Sequence, residues 1–306
     1  MANSSEQLIR DIEDMKVKGA YLITRVALEA IELRAHEAAA QSDRIAPVLR
    51  AAADRLRAAQ PSMASVGNAC AYVLRGLPDD QAQQATRQIA ERGREFLAAF
   101  DRAQEQVVEV GARCVRAGEV FFIHSYTGTL LGMFRRAREH GTQFSVIATE
   151  SRPYCEGRVM VTELLKLGIP CTIITDASIG SYIQRADKSL VGSDSILSNG
   201  GVVNKMGTYL LALACQAARV PLYAAGSIFK LSVASVQGDA VAMLRRPDDG
   251  AIAPKDPPPN APLQVENTIF DLTPAQLIEA LITDQGVLPP AAIAGFRDHP
   301  MLRAAT

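Results

Sequence analysis

Two hydrophobic textures divide the chain. Up to about residue 117, apolar positions recur three and four apart among Ala, Leu, Arg, Glu and Gln, all strong helix formers. Ser4 or Ser5 can cap a first helix that reaches Met15. Lys18-Gly19-Ala20 interrupts the pattern, and a second helix is predicted from Tyr21 to about residue 40, with Leu22, Val26 and Leu33 on one side. Further helices are predicted over 44–59 and 63–74, then one long or broken helix over 79–117. Pro61 and Gly76-Leu77-Pro78 separate them. No strand is expected here.

At Gly118 the period changes. Short apolar runs at 119–123, 144–149, 171–175, 189–191 and 221–225 read as strands. Amphipathic stretches between them, 130–140, 157–167, 179–185 and 205–218, read as helices. Strands alternating with helices imply an α/β fold with a parallel, doubly wound sheet. In such a sheet the loops after the strands share one edge: 124–129, 150–153, 176–178, 192–205 and 226–230. Residues 245–262 are rich in Pro and Asp and read as a surface loop. Thr273 before Pro274 is a helix start, predicting a last helix through Leu277 to Ile282. Leu288-Pro289-Pro290 is expected to turn over the surface. The chain thus divides into a helical amino-terminal domain, 1–117, and a sheet-containing carboxy-terminal domain, 118–306.

Composition adds mainly exclusions. With 306 residues, 48% hydrophobic and 21% charged, the chain can bury a substantial core. A formal net charge of −1 leaves no global basic field, so neither nucleic acid nor a membrane surface is an expected partner. No run approaches the ~18 apolar residues of a membrane-crossing helix. The start, MANSSEQLIRDIEDM, has no apolar signal core, so a cytoplasmic location is expected. The five cysteines are scattered without a CxxC pair and read as small buried hydrophobes. No metal and no cofactor are expected.

The chemistry concentrates in Val191-Gly192-Ser193-Asp194 and the polar residues that follow, up to Asn204-Lys205. An acid, an amide, an ammonium and several backbone N–H groups meet where a strand gives way to a loop. That set suits a small phosphorylated, hydroxyl-rich ligand.

These motifs resemble a known family. Lys18-Gly19-Ala20, Thr149-Glu150-Ser151-Arg152-Pro153, Glu156-Gly157-Arg158, Thr175-Asp176-Ala177, Val191-Gly192-Ser193-Asp194, Asn199-Gly200, Asn204-Lys205-Met206-Gly207-Thr208, Ser227-Ile228-Phe229-Lys230 and Phe270-Asp271-Leu272-Thr273-Pro274 match it in order and spacing. The family unites the translation initiation factor 2B α, β and δ subunits with methylthioribose-1-phosphate isomerase and ribose-1,5-bisphosphate isomerase. The Phe-Lys pair and the Phe-Asp-Leu-Thr-Pro segment look more like the ribose-1,5-bisphosphate isomerase and α-subunit branches. The resemblance implies a helical domain on a Rossmann-like domain, and a homo-oligomer, dimer or hexamer, assembled through the latter.

It also implies roles. Asp194 matches the family's catalytic acid; an aspartate that caps its own loop is the alternative. Ser125 stands where the isomerases carry a cysteine. A thiol with a pKa near ~8.5 exchanges protons at neutral pH, whereas an aliphatic hydroxyl needs a base. His124 is a poor base for it, because strand neighbours face opposite ways. Thr127, Gly128 and Thr129 suit a phosphate cradle at a helix start, or an ordinary strand-to-helix cap. Lys18 and Gln60 stand where the isomerases have arginines, and Glu156 where they have glutamine. Those departures imply a recognition pattern different from that of either isomerase. Arg152 and Arg158 can each meet a phosphate or pair with Glu150. Asn204 can bind sugar hydroxyls, and Lys205 and Lys230 can hold phosphate. Two functions follow. One is an aldose–ketose isomerase of a phosphorylated pentose or related sugar, with Asp194 as general acid/base and Ser125 positioning a hydroxyl or water. The other is a non-catalytic subunit that binds a sugar phosphate or nucleotide as a sensor or for assembly.

Overall fold

The computed structural model describes residues 4–42, 44–78, 80–232, 235, 242–246, 251–256, 258 and 261–302. Helices lead, as the spacing predicts: α1 (Ser5–Glu13), α2 (Ala20–Ala39), α3 (Ala46–Ala59), α4 (Ala64–Leu74) and α5 (Ala82–Ala112). Ser4 caps α1, its side chain accepting from the Gln7 N–H. The start predicted at residue 79 lies outside the described residues. α5 is a single helix of 31 residues, about 46 Å long at 1.5 Å per residue. It packs against α2, α6 and β11 and so ties the helical region to the sheet.

From Val120 onward strands and helices alternate: β1 (Val120–Ile123), α6 (Gly128–Glu139), β2 (Ser145–Thr149), α7 (Glu156–Lys166), β3 (Cys171–Ile174), α8 (Ile179–Tyr182), β4 (Lys188–Val191), β5 (Ser195–Ile196), β6 (Val202–Lys205), α9 (Thr208–Ala218), β7 (Leu222–Ala225), β8 (Arg245–Arg246), β9 (Asn267–Thr268), β10 (Phe270–Thr273), β11 (Ala280–Thr283) and β12 (Gly286–Leu288). Seven strands form the central sheet in the order β12-β11-β7-β4-β1-β2-β3. All pair in parallel except the edge strand β12. Burial on both faces explains the short apolar runs. Phe122, Ile147, Val191, Ala224 and Leu281 face one hydrophobic cluster, shared with the amino-terminal helices. Phe121, Val146, Ala148, Leu190 and Ile282 face a second cluster built with α6 and α7.

Four local expectations need correction. Asn204-Lys205 does not open a helix. It ends β6, which pairs antiparallel with β5 and β10, and α9 begins three residues later at Thr208. The helix expected over 273–282 is replaced by a 3-10 turn, Ala275–Leu277, followed by β11. Ala280, Leu281 and Ile282 are apolar in succession because both faces of β11 are covered, not because they line one side of a helix. The loop expected over 245–262 begins with β8, which pairs with β9, while residues 247–250, 257 and 259–260 lie outside the described residues. Beyond it, Leu288 closes the edge strand and a 3-10 helix, Pro290–Phe296, replaces the expected turn. No helix among the described residues is long and apolar enough to cross a membrane.

Candidate active site

Strand order fixes where a ligand can sit. Reading outward, β1-β2-β3 runs one way and β4-β7-β11 the other, so the order reverses between β1 and β4. At such a switch point the two following loops diverge and leave a crevice at the carboxyl ends of the strands. Those loops carry Ser125 and Asp194.

Two adjoining cavities open there, of about 610 Å³ and about 880 Å³. Gly19, Tyr126, Asp194 and Asn204 line both. The smaller adds Lys18, Ser125, Tyr154, Glu156, Lys205, Arg246 and Phe270. The larger adds Ala20, Thr127, Gly128, Thr129, Ser193 and Lys230.

Asp194 stands at the junction, its N–H donating to the Val203 carbonyl at 2.8 Å. Burial pushes its carboxyl above the ordinary aspartate range. The charges of Lys230 and Lys205 pull it back, and that of Glu156 pushes it further up. Lys230 is buried, and its ammonium donates to the Ser193 carbonyl at 2.5 Å. Burial lowers its pKa and the nearby Asp194 opposes the change. The turn that carries Lys230 is pinned by Asn68 of α4, whose amide donates to the Phe229 and Leu231 carbonyls at 2.8 and 2.9 Å. Phe229 packs edge-on against Phe96 at 5.2 Å between ring centres. A helical-region amide therefore sets the position of a sheet-region lysine, which sequence reading did not find.

The larger cavity meets two helix starts. Gly19-Ala20-Tyr21 opens α2 and Thr127-Gly128-Thr129 opens α6, and neither start has a side-chain cap. Unsatisfied N–H groups at a helix start attract anions. Gly19 holds φ at +85°, a conformation suited to glycine. The Thr129 hydroxyl accepts from Gln104 at 2.7 Å.

The smaller cavity holds an ion pair and a free guanidinium edge. Lys205 donates to Glu156 Oε1 at 2.7 Å and lies 5.4 Å from the Phe270 ring centre and 5.8 Å from that of Tyr154. Glu156 Oε2 is buried with no hydrogen-bond partner among the described residues. The next residue, Gly157, lets α7 press on β2: a Cβ there would meet the Thr149 carbonyl oxygen at 1.9 Å. Arg246 donates through Nη1 to the Glu13 carbonyl at 2.7 Å, while its Nε and Nη2 are buried without partners among the described residues.

A hydroxyl network holds the crevice in shape. His124 is buried, with Nε2 2.8 Å from the Met206 carbonyl and Nδ1 2.6 Å from the Thr149 hydroxyl. A carbonyl only accepts, so Nε2 carries the proton and Nδ1 accepts from Thr149. Burial lowers the His124 pKa and keeps the ring neutral. Ser151 accepts from the Ser125 N–H at 2.7 Å, and its own N–H donates to Asp176 at 2.9 Å. Ser125 sits at φ +68°. His124 is thus fully engaged away from Ser125.

The sequence pattern of the initiation factor 2 subunit family matches residues 16–290. This chain belongs to the initiation factor 2 subunit family. It is 33% identical over 279 residues to a ribose 1,5-bisphosphate isomerase of Archaeoglobus fulgidus, covering 91% of this chain and 88% of that protein. It is 32% identical over 288 residues to a putative translation initiation factor eIF-2B subunit 2-like protein of Pyrococcus abyssi, covering 94% and 97%. Among solved structures it resembles the translation initiation factor eIF-2B of Pyrococcus horikoshii, with a TM-score of 0.81 and 29% identity over 95% of this chain and 98% of that one.

Within this family member, most residues singled out by sequence converge on the two cavities. Three do not. Arg158 takes the second of its expected partners, Glu150, at 2.5 Å and is exposed. Arg152 is exposed; its guanidinium meets the Ala251 carbonyl and its N–H donates to Asp176 at 2.7 Å. Gln60 is buried at the end of α3, donating to the Ile12 carbonyl at 3.3 Å, and lines neither cavity. Arg246 is one of the charged lining residues that sequence reading missed. Only the adjacent pair Arg245-Arg246 after Leu244 marks it, and nothing local says which arginine turns inward.

Proposed function

We propose that the chain is an aldose–ketose isomerase of a phosphorylated pentose, with Asp194 as its general acid/base. One observation carries this reading: a carboxyl whose pKa is raised by burial stands between two cavities that each offer positive charge. On one side are Lys18, Lys205 and the open edge of Arg246. On the other are two uncapped helix starts and Lys230. A sugar with a phosphate at each end places its reacting carbons beside Asp194. The named activity of the Archaeoglobus relative, on a pentose bisphosphate, supports the same reading.

In an aldose 1-phosphate the anomeric oxygen is esterified, so the ring opens only when its oxygen is protonated. A carboxyl that keeps its proton closer to neutrality than a free aspartate can supply it. The C1–ring oxygen bond then breaks. As the ketone forms, the Asp194 carboxylate recovers a proton from the O2 hydroxyl. Asn204 and the Ser125 hydroxyl orient sugar hydroxyls. Lys230 balances the carboxylate after it has given up its proton.

We read the non-catalytic subunit as the weaker alternative, because binding alone makes no use of the raised carboxyl. Self-association belongs to the proposal too. Tyr209, Leu210 and Leu213 of α9 and Leu272 of β10 are exposed apolar residues, and α9 packs beside β10. A surface of that kind supports a homo-oligomer. A cytoplasmic setting fits a substrate whose phosphates keep it from crossing membranes. The test is NMR turnover of ribose 1,5-bisphosphate and other sugar phosphates, after a thermal-shift screen for binding. Ketose formation by the natural chain, lost in Asp194→Asn, is expected. Binding without any turnover would remove the enzyme reading. Light scattering of Leu210→Glu should show a smaller species than the natural chain; an unchanged mass moves the interface elsewhere.

A further inference from the structure

When the C2 hydrogen moves as a proton through an enol phosphate, the isomerisation proposed above uses two proton carriers, and Asp194 handles the protons on oxygen. The hydrogen on C2 must also leave, and one must arrive at C1. Ser125 cannot carry it. Its hydroxyl needs a base at neutral pH, and His124, the neighbouring candidate, has both ring nitrogens engaged with Met206 and Thr149.

A second carboxylate lines the same cavity as Ser125 and Asp194. Glu156 is the first residue of α7, held against β2 by the close approach at Gly157. Lys205 occupies Oε1 at 2.7 Å, and Oε2 is buried without a hydrogen-bond partner among the described residues. A buried, unused carboxylate oxygen is destabilising, and such a group in a binding crevice calls for a functional reason. Glu156 is near enough to Asp194 for its charge to add to the rise in the Asp194 pKa that burial causes. Two carboxyls and a lysine therefore act on one space.

Resting on the isomerase reading, we propose that Glu156 is the second catalytic group, carrying the proton between C2 and C1. Asp194 protonates the ring oxygen and the C1–oxygen bond breaks. Glu156 then takes the proton from C2, and the C2–H electron pair becomes the C1=C2 bond of an enol phosphate. The O2 proton passes to Asp194 and the C2=O bond forms. The C1=C2 pair collects the proton from Glu156 at C1. Each carboxyl ends as it began, and no oxidant or reductant is consumed.

The full chain is assayed with ribose 1,5-bisphosphate in deuterium oxide, comparing Glu156→Gln and Glu156→Asp with the natural chain. Glutamine keeps the size of Glu156 and loses the chemistry; aspartate does the reverse. A merely structural Glu156 therefore tolerates glutamine better. The proposal expects kcat to fall by about 10²-fold or more in Glu156→Gln with KM little changed, a typical loss for a general base. It expects higher turnover in Glu156→Asp than in Glu156→Gln, and deuterium at C1 of the product. Glu156→Gln turning over as fast as, or faster than, Glu156→Asp would overturn it while leaving the isomerase reading intact. If the natural chain turns over no sugar phosphate while still binding one, both fall together.

Discussion

Replacing Arg246 with methionine isolates the contribution of one guanidinium to phosphate binding. In the free protein Arg246 makes a single hydrogen bond, Nη1 to the Glu13 carbonyl, and leaves Nε and Nη2 buried without partners among the described residues. Nε and Nη2 project side by side from the planar group, the geometry that takes two phosphate oxygens at once. Hydrogen bonds to charged groups contribute about 1.5–3 kcal/mol each, and the pair shares one ligand. A net loss of about 2–4 kcal/mol is therefore expected, or roughly thirty- to seven-hundred-fold in KM at ~1.4 kcal/mol per factor of ten. Methionine keeps the unbranched apolar stem and omits the guanidinium, so the loss of fold stability should stay near the ~1 kcal/mol of the Glu13 hydrogen bond. Steady-state kinetics with ribose 1,5-bisphosphate, with ligand-induced thermal shifts beside them, read the effect. Lysine should recover only part of it, because it supplies charge without the fork. A KM within twofold of the natural value in Arg246→Met would refute the reasoning and return the phosphate to Lys18 and Lys205 alone.

Two further expectations concern the scaffold. Asp271 reaches from β10 to the start of α9, where Oδ2 accepts from the Gly207 and Tyr209 N–H groups at 2.7 and 3.1 Å. Asp271→Ala should lower the unfolding free energy by about 1–2 kcal/mol, as loss of a helix cap does, seen by urea denaturation; an unchanged midpoint would show that the cap contributes nothing. His124 is held neutral by burial, with its folded pKa below the ordinary histidine value of 6.5. Its stabilisation is complete above that value and declines as the pH falls below it, because the unfolded chain takes up the proton first. The slope is at most about 1.4 kcal/mol per pH unit. The fall in melting temperature between pH 7 and pH 5 should be shallower in His124→Gln, and an equal fall would assign the acid sensitivity to other groups.

Much of the architecture is legible in local pattern. Helical spacing before Gly118 and apolar runs alternating with helices after it follow from the two backbone periods and need no knowledge of contacts. The errors fall where local signals are shared by two structures. Thr273-Pro274 is a good helix start, yet only one 3-10 turn forms there. Leu281 and Ile282 are buried on opposite faces of a strand whose partner, β7, is over fifty residues earlier. Asn204-Lys205 reads as a helix start, yet it lies in β6 because β10 pairs with it across more than sixty residues.

The sequence by itself determined the chemistry available: an acid at 194, an amide and an ammonium at 204 and 205, glycine-bearing turns after strands, and a serine in place of a thiol. Tertiary structure alone decided which of the five strand-end loops face each other. Strand order is set by pairing between distant segments, and its reversal between β1 and β4 opens the crevice under Ser125 and Asp194. The same long-range packing turned Arg246 inward, left Arg152 and Arg158 outside, and brought Glu156 to the cavity wall. Side-chain identity is local, whereas burial and the charges it brings together are properties of the folded whole.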